Sequence, residues 1–164
     1  MVNLYVFFIY RKQKMGHIDS FDEFLKKKNQ ADENNIINWD ERKATWLNSI
    51  NFLYNEIRNW LKPFVEKNLI KIKDDKLIDI TEEYIGHYNT NRLDIYLGND
   101  IVSLTPKGTL IMGSYGRIDM SGSRGDIMLI EPDWNKWNFA KRTPKIETWD
   151  VTEDSFKDIL QELV

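Results

Sequence analysis

The chain has 164 residues, of which 41% are hydrophobic and 30% charged, and its formal net charge is −3. This length and composition are typical of a globular domain that can bury a sizeable core. The acidic balance provides no long-range attraction to nucleic acid or to an anionic membrane. The chain has no cysteine, which excludes disulfides, thiol nucleophiles and thiolate metal sites and is consistent with a cytoplasmic location.

The first ten residues are apolar and are followed by Arg11, Lys12 and Lys14. A secretory signal has its basic residues before the apolar run, and a membrane-spanning helix needs about 20 apolar residues. We therefore expect no stable membrane insertion. Three interpretations remain open, namely an edge strand, an extension upstream of a start at Met15, and an anchor at a membrane surface. We predict an N-terminal extension over residues 1–17 and a single domain over residues 18–164.

Two helices are predicted in the first half of the chain. Ser20 begins a capping-box pattern, which predicts a short helix over residues 21–29. Apolar residues then recur every three or four positions from Trp39 to Leu61, which predicts the longest helix. Pro63 disfavours helical geometry at the residue before it, so we expect a kink or a new short turn there.

The apolar period changes from 3.6 to 2 after residue 69, which indicates strands. Residues 69–72 and 77–80 flank Asp74-Asp75 and predict a hairpin. Turns are also predicted at Gly98-Asn99 and at Pro106-Lys107-Gly108, the latter leading into a strand over residues 109–112.

A final helix is expected over residues 153–163, with Thr152 as its cap. We predict the α+β class, with an antiparallel meander sheet of six to eight strands, the long helix on one face and the C-terminal helix at an edge.

The sequence offers no catalytic motif. There are two histidines, no G-x-S-x-G pattern and no metal-ligand spacing around His87. The glycines between Leu104 and Ile130 are not followed by a helix and a lysine, as a phosphate-binding loop requires. We therefore expect no catalytic residues, no metal ligands and no cofactor.

Glu82 continues an alternating row with Ile78, Ile80 and Tyr84, so we expect its carboxylate to face the core. A buried carboxylate needs a partner or a proton, and Arg117 is a candidate partner. This pair could fix the strand register, or it could serve a ligand-binding or catalytic pocket; both interpretations stay open.

A second interpretation uses the opposite face of the sheet. Tyr96, Tyr115, Arg117 and Asp119 alternate with apolar residues and could form a binding surface, because Tyr and Arg are favoured at interfaces. The alternative is a solvated face with cross-strand ion pairs. Since the two interpretations place Arg117 on opposite faces, at most one can hold. The candidate ligand- or partner-binding residues are Glu82, Tyr84, Tyr96, Tyr115, Arg117 and Asp119.

Three segments of the chain are similar to segments of other proteins: W-D-E-R-K-A-T-W-L-N-S-I-N-F-L-Y, E-E-Y-I-G-H-Y and L-T-P-K-G-T-L-I-M-G-S-Y-G-R-I-D-M-S-G. In them the chain resembles a group of uncharacterised small bacterial proteins, over roughly residues 39–130. The resemblance implies no activity.

For function we expect a non-enzymatic protein-interaction module of a bacterial cytosol, of an immunity-like or accessory kind, with another protein as partner. The alternative is a small ligand-binding protein or enzyme that uses Glu82 and Arg117 in a pocket. Nucleic-acid binding through Lys26-Lys27-Lys28 is not expected, because acidic residues surround this run.

Overall fold

A computed structural model describes residues 21–29, 37–109 and 114–164. The chain forms two compact units, Met1–Asn38 and Trp39–Val164. The described helix of the first unit, α1, spans residues 21–29, where a short helix was predicted. The predicted extension over residues 1–17 lies outside the described residues.

The second unit begins and ends with a helix. Helix α2 spans Trp39–Glu66 and helix α3 spans Glu153–Glu162. Seven strands lie between them: β1 Lys71–Glu82, β2 Gly86–Leu97, β3 Asp100–Gly108, β4 Arg117–Gly122, β5 Gly125–Asp133, β6 Lys136–Arg142 and β7 Ile146–Asp150.

The seven strands form one sheet in chain order, and each strand is antiparallel to its neighbours. The α+β class with a meander sheet, a long helix before it and a C-terminal helix is therefore confirmed. The turn predicted at Gly98-Asn99 is also present, because Leu97 pairs with Asp100 across it.

Three predicted boundaries were wrong. The hairpin predicted at Asp74-Asp75 is a single strand, β1, whose register shifts between Lys73 and Lys76. The extra residue is absorbed as a bulge, and Asp74 forms an ion pair with Arg58 of α2.

The turn predicted at Pro106 is instead part of β3, at a register shift where a missing backbone donor is tolerated. Helix α2, predicted to end at Leu61, also continues through Pro63 to Glu66. Leu61 is buried and Phe64 packs against the core, so packing outweighs the poor helix propensity of proline.

One face of the sheet, the inner face, packs against the helices. The α2 side chains buried there recur at helical spacing: Trp46, Ser49, Ile50, Leu53, Tyr54, Ile57 and Leu61. The ring of Phe156 on α3 lies 5.7 Å from that of Trp60 on α2 and 6.5 Å from that of Phe139 on β6. Both helices therefore contribute to one core. No helix among the described residues has the length and apolarity needed to cross a membrane.

Strand β4 defines the two faces of the sheet. Ile118 and Met120 are fully buried on the inner face, while Arg117 and Asp119 alternate with them and are partly exposed. We call the side that carries Arg117 and Asp119 the outer face.

The Tyr54 hydroxyl lies where β2 and β3 separate. Their pairing ends at Leu93 and Leu104, and the hydroxyl lies 3.0 Å from the carbonyl of Asn91 and 3.2 Å from that of Leu104. Because this hydroxyl is buried, the pKa of Tyr54 is raised. Its single proton is within hydrogen-bond distance of both carbonyls, at the point where the β1–β2 hairpin separates from β3.

Candidate functional site

The structure separates the six candidate residues into two groups. Tyr96, Arg117 and Asp119 lie on the outer face. Glu82, Tyr84 and Tyr115 lie at one end of the sheet, which we call the turn end. This end carries the β1–β2, β3–β4 and β5–β6 connections, and side chains from the first half of α2 contact it.

Glu82 lies at the end of β1, on the side of Ile80, and is half-buried as expected. Its carboxylate accepts hydrogen bonds from the Tyr88 hydroxyl at 2.5 Å, the Thr109 amide at 2.8 Å and the Thr109 hydroxyl at 3.1 Å. Gly108 has a φ of 132°, which favours glycine, and a Cβ there would lie 2.7 Å from Glu82 Cδ, so a side chain at this position would displace the carboxylate. Glu82 thereby joins the β1–β2 hairpin to the end of β3.

Arg117 does not fill the role predicted for it beside Glu82. Its guanidinium pairs with Asp119 on the outer face, whereas Glu82 faces inward and is satisfied by Tyr88 and Thr109. A pocket shared by Glu82 and Arg117 therefore lacks a structural basis. Burial and the hydrogen bond to Glu82 raise the pKa of Tyr88.

Tyr84 was predicted to share the core-facing row of Glu82, and this was wrong. It lies in the turn between β1 and β2 with a φ of 69° and is 68% exposed. Its ring stacks on Trp39 of α2, with the centroids 5.2 Å apart. The turn over residues 83–85 interrupts the strand alternation from which the prediction was made.

Tyr115 belongs to the turn end and not to the outer surface for which it was proposed. Its ring lies 4.1 Å from that of Trp134, and the Arg42 guanidinium lies 5.6 Å from its centroid. Arg42 Nη2 also donates to the Thr109 carbonyl at 3.0 Å. Arg42 thus links the neighbourhood of Glu82 to that of Tyr115.

A buried carboxyl at the turn end, Glu131, was missed by the sequence analysis. It is 0% exposed and accepts hydrogen bonds from the Ser49 hydroxyl at 2.6 Å and from the backbone N–H of Asn135 at 2.7 Å. Burial raises its pKa. The alternation of Ile127, Leu129 and Glu131 was the signal that could have revealed it, because it continues the inner-face row.

The outer face carries a row of partly exposed charged side chains. Arg117 Nε lies 2.6 Å from Asp119 Oδ1, and Arg117 Nη2 lies 3.2 Å from Oδ2, a bidentate geometry. Lys107 Nζ lies 3.8 Å from the same carboxylate. The prediction that Arg117 and Asp119 share one face is therefore confirmed.

A second ionic cluster on this face is centred on Asp94, which is only 5% exposed. It accepts hydrogen bonds from Arg92 Nη2 at 2.6 Å and from the Ser103 hydroxyl at 2.7 Å. The bond to Asp94 raises the pKa of Arg92. Two residues further, the Tyr96 ring lies 5.7 Å from Lys73 Nζ, a cation–π contact.

The outer face also contains an open groove of about 290 Å³ across β4, β5 and β6. The residues that line it are Arg117, Asp126, Ile127, Met128, Ala140, Lys141 and Arg142. Arg117 was predicted to lie in a binding surface, but its neighbours in the groove from β5 and β6 were not predicted.

Within the described segments, no group of three or more His, Asp or Glu side chains is arranged to hold a metal ion. In comparisons with known proteins, no protein-family model matches the chain, and no curated protein or solved structure matches it significantly.

Proposed function

We propose that this protein is a non-enzymatic interaction module that binds another protein through the outer face of its sheet. The observation that carries this proposal is the position of Tyr96, Arg117 and Asp119 on the face opposite the one packed by α2 and α3. Tyr and Arg are enriched where proteins bind one another.

The order of the outer-face side chains supports the proposal. Arg117 is held by Asp119, and Arg92 is held by Asp94, before any partner arrives. A surface whose long side chains are already fixed loses less conformational entropy on binding. Paired charges of both signs also favour recognition by electrostatic complementarity.

A bacterial cytosol and an immunity-like or accessory role are part of this proposal. The lack of cysteine is consistent with a reducing compartment. The outer face offers a sheet surface and not an enclosed active site, which favours a protein over a small molecule as the partner.

Site-specific photo-crosslinking tests the proposal. A photoreactive amino acid replaces Tyr96 or Ser121 on the outer face, or Asn51 on the exposed side of α2 as the control. We expect a protein adduct in bacterial extract that forms from the two outer-face positions and not from position 51.

The crosslinked protein is then identified by mass spectrometry and purified, and its affinity for the purified chain is measured. Tyr96→Ala and Arg117→Ala should each weaken binding at least about tenfold, the loss typical of an interface hot spot. Equal crosslinking from position 51, or unchanged affinity of both alanine variants, would overturn the proposal.

A further inference from the structure

The groove on the outer face has an apolar floor. The strand register places Asp119, Met128 and Ala140 side by side on β4, β5 and β6. Ala140 is 2% exposed, although its pairing with Met128 places it on the outer face. The floor therefore consists of Met128 and Ala140.

Two arginines stand at diagonally opposite corners of this floor. Arg117 pairs with Ile130, two residues beyond Met128 in one direction along β5. Arg142 lies two residues beyond Ala140 in the other direction along β6. A side chain that enters the groove would therefore lie on Met128 and Ala140 between two guanidinium groups.

The charges around the groove are not balanced. Three basic residues line it, Arg117, Lys141 and Arg142, against a single acidic one, Asp126. Asp119 neutralises Arg117, but in the part of the chain that the structure describes neither Lys141 nor Arg142 takes part in an ion pair. This local excess of positive charge lies on a chain whose net charge is −3.

The size of the groove limits what can occupy it. Sites for small molecules usually enclose roughly 300–1,000 Å³, and this open groove, at about 290 Å³, has room for one or two side chains. A nucleic acid needs a continuous basic track, because its phosphates repeat every few ångströms. The basic side chains at this groove are confined to one small area, and Arg117 is already paired with Asp119, so they form no such track.

From this geometry we infer that the groove receives an Asp or Glu side chain from an acidic segment of the partner protein, an inference that rests on the proposed function. The carboxylate pairs with Arg142, whose planar guanidinium can bind it through two hydrogen bonds. The methylene groups of the same side chain cover Met128 and Ala140.

A short acidic peptide tests the inference directly. The probe is acetyl-Glu-Leu-Glu-Leu-Glu-amide, its Gln counterpart is the control, and chemical shifts of Ala140 and Arg142 are followed by NMR. We expect saturable shifts with the Glu peptide, at least about tenfold weaker binding of the Gln peptide, and weaker binding at higher salt.

Variants locate the site of binding. Arg142→Glu and the milder Arg142→Gln should abolish the shifts at Ala140, with the fold checked by circular dichroism. Lys136→Glu is the matched control, because Lys136 is an exposed basic residue of the same strand outside the groove. Its binding should equal that of the wild type.

Other anions are tested as alternative ligands of the groove. The inference fails if inorganic phosphate or a single-stranded oligonucleotide produces the same shifts with equal or higher affinity, or if the peptide produces none at about 5 mM. With the crosslinked partner, a loss of binding in Tyr96→Ala but not in Arg142→Glu would refute the groove while retaining the proposed function. No loss in any outer-face variant would refute both.

Discussion

The Ser49 hydroxyl donates a hydrogen bond of 2.6 Å to Glu131 Oε1, and this bond ties the middle of α2 to the end of β5. The backbone N–H of Asn135 donates to the same oxygen at 2.7 Å. The second carboxyl oxygen, Oε2, is buried and has no hydrogen-bond partner among the described residues. A negative charge there would be poorly solvated, which favours the protonated carboxyl.

The burial of Glu131 predicts a pH dependence of stability. Its pKa is raised in the folded protein, so between the ordinary carboxyl pKa, about 4.3, and the raised value the folded state binds more protons than the unfolded state. The contribution of Glu131 to the free energy of unfolding therefore falls as pH rises through this window. Glu131→Gln retains an oxygen for Ser49 and Asn135 and does not titrate.

We expect Glu131→Gln to gain stability relative to the wild type as pH rises from about 4 to 8. Urea unfolding across this range measures the difference. Glu147→Gln is the control, because Glu147 is exposed and its variant should follow the wild-type curve. A difference between Glu131→Gln and the wild type that does not change with pH would contradict this expectation.

Glu82 is expected to stabilise the fold without taking part in binding. Its two oxygens accept hydrogen bonds from Tyr88 and Thr109. The single side-chain oxygen of a glutamine can accept from only one of these two residues. Glu82→Gln should therefore lower the free energy of unfolding by about 1–3 kcal/mol. Glu83→Gln, at the exposed neighbouring position, should change it by less than about 0.5 kcal/mol.

Chemical denaturation compares these two variants, and the affinity for the acidic peptide is measured in parallel. Both variants should bind the peptide as the wild type does, because Glu82 faces away from the outer face. A Glu82→Gln protein of unchanged stability but impaired binding would show that we have assigned this residue the wrong role.

Gly116 is expected to tolerate no side chain. A Cβ at this position would lie 2.0 Å from Cζ3 of Trp46, which is fully buried in the core. Gly116→Ala should cost about 3 kcal/mol or more, because the indole must move within a close-packed core.

Gly98→Ala separates this steric effect from the effect of backbone conformation. Gly98 has a φ of 59° but open space around its Cα, so only the left-handed conformation is penalised, by about 1–2 kcal/mol. Thermal unfolding of both variants should rank Gly116→Ala as the less stable. If Gly98→Ala were the less stable variant, the indole of Trp46 would be able to move aside at little energetic cost.

The fold was largely predictable because its signals are local. The spacing of Trp46, Ile50 and Leu53 indicates a helix with one buried face, and Gly98-Asn99 marks a turn through backbone conformation alone. The errors at Asp74, at Pro106 and at the end of α2 arise where a tertiary contact or a register shift outweighs a local preference.

The candidate sites were less predictable, because sequence spacing gives the face of a residue but not its partner. The pair Arg117 and Asp119 lies within one strand and was predictable from alternation. Glu82 meets Thr109 only because β3 ends beside β1, and Ala140 forms a groove floor only through the register of β5 and β6. Neither relationship can be predicted from the local periodicity of the sequence.

The order of strands in the sheet has a consequence for how the chain folds. Every strand pairs only with its neighbours along the chain, so each hairpin closes a short loop at small entropic cost. The contact between Ser49 and Glu131, by contrast, joins residues 82 positions apart. Since rates fall as contacting residues become more distant in sequence, we expect the hairpins to form early. The contact of α2 with the end of β5 is then expected to form after these hairpins, and later than the contact of Arg58 with Asp74, which lies only 16 positions away along the chain.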